Sequence, residues 1–365
     1  MSSAAQKQNF SFYTSAEYWT ELRARLAKTI AGDRIALMAM DFDSHDPIVA
    51  GICKELLAAA QRGVDTHLIV DGRSFLFDPH AGKFGPLWYG RPLEKADAIF
   101  QPRLHTIRQL QRQSHGHATI TNRPLRRFSN IYAGRSHIKF SLINDTIFIG
   151  GCNLYDTQFL DLMTCWDDRR TSDDLFDFVK RIETHEHVGQ ALDWHDQEFA
   201  IHPDATLFID AGARRQSIIF DHALQLIDEA QKHITITCQF FPNSRTAQRL
   251  AAAHRRGVDV TVLFAHPSKH GKGFRRAGQY YNVWRERRRV PAALFAHGLT
   301  PDMPMLHAKL LATDAGTMIG SHNYVRAGVN LGTAEIALLF RDPAYSKAAL
   351  AALSRELPLP TKPAT

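Results

Sequence analysis

Apolar positions recur every three to four residues from Glu17 to Ile30. They set Trp19, Leu22, Leu26 and Ile30 on one side of an expected amphipathic helix that Gly32-Asp33 ends. Arg34–Met40 then reads as a buried strand, Ile48–Gln61 as a helix stopped by Gly63, and Val64–Val70 as a strand closing at Asp71-Gly72. The same order returns later. Ser217–Lys232 is helical through Ile218, Ile219, Leu226, Ile227 and Ala230, and His233–Phe241 is a strand. Arg245–Arg255 is a helix ended at Gly257, and Val258–Phe264 is a strand. A tetrapeptide repeats as well: Arg62-Gly-Val-Asp65 and Arg256-Gly-Val-Asp259 each follow an Ala-rich helix. Asp173–Glu183 is a further helix and Trp194–Ala205 a polar connector, which puts a boundary near residue 200. Alternating helices and strands in two related halves, 1–200 and 201–365, predict an α/β protein.

Each half also carries a shorter alternating stretch. One is His137-Ile-Lys139-Phe-Ser-Leu-Ile-Asn144, followed by Gly150-Gly151-Cys152-Asn153. The other is His307-Ala-Lys309-Leu-Leu-Ala-Thr-Asp314, followed by Gly320-Ser321-His322-Asn323. In both, the His precedes the Lys by two residues and the Asn by sixteen. On a strand, side chains two apart share a face, so each His is expected beside its Lys. An imidazole near neutral pH can be a nucleophile or a proton donor, and an ammonium adds charge for a phosphate. Return strands Thr146–Ile149 and Thr317–Ile319 lead to small residues that admit close backbone approach, then to Asn153 and Asn323 as amide donors. A lone His-x-Lys is unremarkable among nineteen histidines; two at identical spacing, one per half, predict a single site where the halves meet.

These motifs resemble the phospholipase D superfamily, whose signature His-x-Lys-x4-Asp, then Gly-Gly/Ser-x-Asn, occurs twice per site. The second copy matches in full; in the first, Asn144 stands where the Asp belongs, with Asp145 one place late. The resemblance implies two pseudo-symmetric α-β-α sandwich halves with the active site at their interface. It implies a catalytic set of His137, Lys139, His307 and Lys309, with His137 as nucleophile and His307 as acid. Asn153, Asn323 and Ser321 would bind substrate, and Asn144 and Asp314 would be structural anchors. Asp161 and Glu335 each open an apolar strand, where an unpaired carboxylate is costly. The family places an acid there to hold a catalytic His by its far nitrogen. The implied activity is phosphodiester exchange on phospholipids through a phosphohistidine, in the manner of a cardiolipin synthase-like phosphatidyltransferase. A hydrolytic phospholipase D, a metal-independent nuclease and a degenerate copy that only binds lipid or nucleic acid are the alternatives. No cofactor or metal is expected, two lysines supplying the charge.

Net charge is +7, which favours anionic partners. An anionic phospholipid membrane is the expected one, with nucleic acid under the nuclease reading and no obligate protein partner. Two long insertions precede the motifs. Gly72–Gly134 mixes Phe75, Phe77, Trp88 and Tyr89 with Arg123, Arg126 and Arg127, and Arg135 follows it. His266–Met305 mixes Tyr280, Tyr281 and Trp284 with Lys269, Lys272, Arg275, Arg276, Arg285 and Arg287–Arg289. Both are expected to wall the substrate entrance and to meet the membrane. The polar Met1–Phe10 has no signal-peptide core, and no apolar run is long enough to span a bilayer. Cys53, Cys152, Cys165 and Cys238 show no metal or redox spacing and read as buried thiols. The expectation is a cytoplasmic protein, peripheral on the inner face of the membrane. His115-Gly-His117 and His185-Glu-His187 lack the other ligands of a zinc site.

Overall fold

In the computed structural model, described for residues 9–124, 127–128, 130–188, 195–270 and 274–357, the chain builds two seven-stranded sheets. The first half runs β1 (Ser11–Thr14), α1 (Ser15–Ala27), β2 (Arg34–Ala39), α2 (Pro47–Gln61), β3 (Asp65–Asp71), the small hairpin β4 (Phe77–Asp78) and β5 (Lys83–Phe84), α3 (Gln101–Gln111) and β6 (Gly116–Thr121). It continues through β7 (Phe140–Ile143), β8 (Thr146–Gly150), β9 (Leu162–Asp167) and α4 (Arg169–Val188). The second half runs β10 (Gln197–His202), β11 (Ala205–Asp210), α5 (Ile218–Glu229), β12 (His233–Cys238), α6 (Arg245–Arg255), β13 (Asp259–Phe264), α7 (Phe274–Glu286), β14 (Leu310–Thr313), β15 (Thr317–Gly320), α8 (Arg326–Leu331), β16 (Glu335–Phe340) and α9 (Pro343–Leu353).

The strand orders are β1-β9-β8-β7-β2-β3-β6 and β10-β11-β16-β15-β14-β12-β13. Six strands correspond one to one, from β1 and β11 at one side to β3 and β13 at the other. The repeated tetrapeptide does the same work in both halves. Gly63 and Gly257 take left-handed φ of 89° and 88° to turn from helix to strand. Arg62 donates to the Leu26 and Thr29 carbonyls, and Arg256 to those of Ile227 and Ala230, satisfying the end of the preceding helix.

One apolar core is shared by the inner faces of both sheets, including Phe140, Ile149, Ile209, Leu310 and Ile336. The faces touch where β8 meets β15 and β16, and α4 and α9 fill the remaining space with Phe176, Val179, Ala349 and Leu353. The outer faces are covered by α1, α2 and α3 on one sheet and by α5 and α6 on the other. This is the two-lobed α/β sandwich the motifs imply.

Four expectations change. The first helix stops at Ala27, so Ile30 lies beyond it and is exposed. The polar connector contains β10, an edge strand whose outward side chains face solvent, so its polarity hides a paired backbone. The first insertion is not merely a loop: α3 and β6 add a parallel strand beside β3. The strands carrying the motifs begin at Phe140 and Leu310, one residue after each Lys, so both His-Lys pairs lie on the extended approach instead. Arg126 and Lys272 lie outside the described residues.

Candidate active site

The seam is stitched by two short parallel bridges. Ser136 pairs with Ala334, and Leu160 with Leu306. His137 N–H donates to the Ala334 carbonyl at 2.7 Å, and His307 N–H to the Leu160 carbonyl at 2.8 Å. Each bridge thus brings a motif His level with the acid of the opposite half. His137 Nδ1 lies 2.8 Å from Glu335 Oε2, and His307 Nδ1 lies 2.5 Å from Asp161 Oδ2. With Nδ1–H donating to the carboxylate, each ring keeps its Nε2 for chemistry. Both rings, with Asp161, Glu335, Asn153 and Asn323, line one cavity of about 740 Å³.

Both lysines are fully buried. Lys139 Nζ donates to the carbonyl of His137 at 2.7 Å, Lys309 donates to that of His307, and Lys309 also stands 3.9 Å from Asp161. Burial pushes Lys309 down to about 8 against the pull of Asp161 and Glu335, and burial also holds Lys139 well below its ordinary value. Burial and then Lys309 press His307 down to about 4, with Asp161 opposing. Burial, Lys139 and Lys309 carry His137 well below its usual range, and His307 adds to the effect.

The acids differ. Burial resists ionisation of Asp161, but Lys309 and His307 outweigh it and its carboxyl falls below the usual value. Burial raises Glu335 despite His322 and Lys139. Ser321 Oγ donates to Glu335 and accepts from Ile336 N–H at 2.9 Å. The matching Gly151 has no room for a side chain, since a Cβ there would come within 2.0 Å of Asp161 Oδ1.

Asn153 Oδ1 accepts from the Asp41 N–H at 3.3 Å, which turns its NH2 group toward the cavity. Asn323 lines the same cavity. The anchors sit outside it. Asp314 accepts from the N–H groups of Gln231, Lys232 and His233, tying the β14–β15 turn to the start of β12. Asn144 accepts from Arg34 N–H at 3.0 Å at the start of β2 and holds φ at 52°, a left-handed conformation Asn tolerates. The replaced position keeps the tie between strands with one bond where Asp314 makes three.

Residues outside the motifs also face the cavity. Arg73, just past β3, is buried and paired with Asp41. Its neighbour Asp71 accepts from Arg73 N–H, Ser136 N–H and the Asn122 amide, fixing the approach to His137. Arg285 and Tyr281 on α7 form part of the wall. The sequence marked Arg285 and Tyr281 only as members of an insertion and gave no signal for Arg73.

A family described as the cardiolipin synthase, phospholipase D-like domain matches residues 223–356. This stretch is phospholipase D-like. The family match falls in the second half, and the likeness of fold extends over both. The phosphatidylserine synthase of Haemophilus influenzae superposes with a TM-score of 0.64 at 15% identity, covering 95% of this chain and 86% of that one. The polyphosphate kinase of Porphyromonas gingivalis superposes with a TM-score of 0.54 at 12% identity, covering 96% of this chain and 50% of that one. At these identities the likeness is one of fold. No curated protein sequence matches the chain.

Proposed function

We propose that this chain is a phosphodiester-exchanging enzyme of the phospholipase D superfamily acting on phospholipids, and within it a cardiolipin synthase-like phosphatidyltransferase with the halves meeting near residue 200. The observation that carries the reading is the crossed pairing, in which each His takes its orienting acid from the other half beside two buried lysines.

His137 Nε2 attacks phosphorus, forming an N–P bond as the bond to the leaving alcohol breaks. His307 Nε2–H protonates that alcohol, then takes the proton of the incoming alcohol, whose oxygen displaces the histidine. Lys139, Lys309 and the amides of Asn153 and Asn323 hold the nonbridging oxygens. The division of labour follows from the acids. An ionised Asp161 stabilises the imidazolium form from which His307 donates its proton, whereas the more easily neutralised Glu335 suits a histidine that attacks as the neutral ring. An arriving phosphate would restore charge to lysines that burial holds low.

Lipid is favoured as substrate by the surface around the entrance. Of the nine exposed large hydrophobic side chains among the described residues, all but Ile30 and Ile48 lie in the two insertions. On α7, Tyr280, Tyr281 and Trp284 are about half exposed, Tyr281 lines the cavity, and Arg288 stacks 3.9 Å over Trp284. Aromatics interleaved with arginines suit an anionic bilayer surface. No helix among the described residues is long and apolar enough to cross a membrane.

The test is incubation with chelator present, using labelled phosphatidylglycerol in one arm and single-stranded DNA in another. Cardiolipin is the expected product. Phosphatidic acid alone would identify a hydrolase, cut DNA a nuclease, and no turnover of either would overturn the reading.

A further inference from the structure

The histidine His117, which looked isolated in its His-Gly-His run, is not alone in space. On the edge of the first sheet β3 and β6 run parallel, and His67 pairs in register with His117. Asp65 is two residues before His67 on β3 and therefore shares its face. One ligand atom from each of the three lies within 4.8 Å of the others. Asp65 Oδ1 stands 3.1 Å from His67 Nε2 and 3.4 Å from His117 Nε2. His67 is buried at 2% exposure, and its Nε2 makes no hydrogen bond of acceptable geometry. Its other nitrogen, Nδ1, is gripped by both oxygens of Glu183 on α4, at 3.0 and 3.1 Å.

We propose that Asp65, His67 and His117 form a binding site for a divalent transition ion, zinc being the natural occupant. A carboxylate on Nδ1 with Nε2 left for the ion is the arrangement that fixes a metal-binding imidazole. Two imidazoles and one carboxylate select zinc and its neighbours over magnesium or calcium, and solvent completes the fourth position. The rings now stack at 4.6 Å and 13°. An ion cannot lie in both planes until His117 turns, and that side chain is 48% exposed and free to do so. None of the three residues lines the catalytic cavity, so the ion would pin β6 to β3 and, through Glu183, to α4. The competing occupant is a proton: burial opposes it, but Asp65 and Glu183 outweigh burial and raise His67 to about 9.

The full chain, stripped with chelator and dialysed, is titrated with zinc chloride by calorimetry and with cobalt(II) by visible absorption. One ion per chain is expected, with cobalt bands of low coordination number. His117→Ala and Asp65→Asn, both on partly exposed side chains, should each weaken binding at least about tenfold, and Glu183→Gln roughly ten- to a hundredfold. Circular dichroism of the stripped variants checks that each is folded. Absence of saturable one-to-one binding overturns the site, as does binding that Ala at 117 and Asn at 65 leave unchanged. Neither result bears on the phosphodiester chemistry, which is read separately.

Discussion

Asp161 reaches His307 from beside Gly151, whereas Glu335 reaches His137 from beside Ser321. The two crossings use one plan with different lengths. The shorter acid stands where a glycine leaves room, and the longer acid is steered by a hydroxyl. Asp161 also has a lysine at 3.9 Å and stays ionised, while Glu335 is pushed toward neutrality. A pseudo-twofold site therefore need not be symmetric in charge. The asymmetry gives the two histidines differently charged partners, which suits the separate roles proposed for them.

The sharpest way to break this comparison is to remove each imidazole and vary the leaving group. His137→Ala and His307→Ala should each lower turnover of phospholipid by about 10⁴-fold or more. With a p-nitrophenyl phosphodiester, whose leaving group needs no proton, the His307 variant should regain at least about a hundredfold while the His137 variant does not. Recovery in the His137 variant instead would exchange the roles.

Next in size are the acids. Asp161→Asn should cost roughly 10²- to 10³-fold in kcat, because an imidazolium then loses its charged partner, and Glu335→Gln less. Equal losses in the two would mean that the charge difference has no catalytic meaning. Gly151→Ala should follow, since its Cβ would collide with Asp161. A loss of about 1–3 kcal/mol in urea unfolding, together with reduced activity, is expected. Ser321→Ala removes one hydrogen bond and should cost about 1 kcal/mol.

Acid stability gives a further measure. The folded state holds His307 down to about 4 against an ordinary 6.5, so the unfolded chain binds the proton more readily. This contribution is complete above about pH 6.5 and is lost as pH falls toward 4, reaching about 3 kcal/mol there. Urea melts of His307→Asn across that window should show a shallower decline. The smallest effect belongs to Asn144→Asp, where either residue tolerates the left-handed turn and can accept from Arg34 N–H. Its unfolding midpoint should move by about 0.5 kcal/mol or less.

Much of this architecture was legible because it is local. Helix bounds such as 245–255 followed from the apolar period, and the paired motifs pointed to one shared site. What was not legible depends on partners far apart in the chain. Nothing near Asp161 says that it serves His307 and not His137. The pairing of β6 with β3 and the burial of Arg73 against Asp41 likewise have no local mark. The β10 strand escaped notice because an edge strand with a wet face looks like a loop. The same blindness hid the His67–His117 contact, since one strand precedes the first insertion and the other lies within it.

The two backbone bridges along the seam have a consequence for how such a protein can be divided. Neither lobe possesses a complete dyad, because each supplies an imidazole to one pair and a carboxylate to the other. Separately produced lobes would thus be inert alone, and activity regained on mixing would itself report correct reassembly.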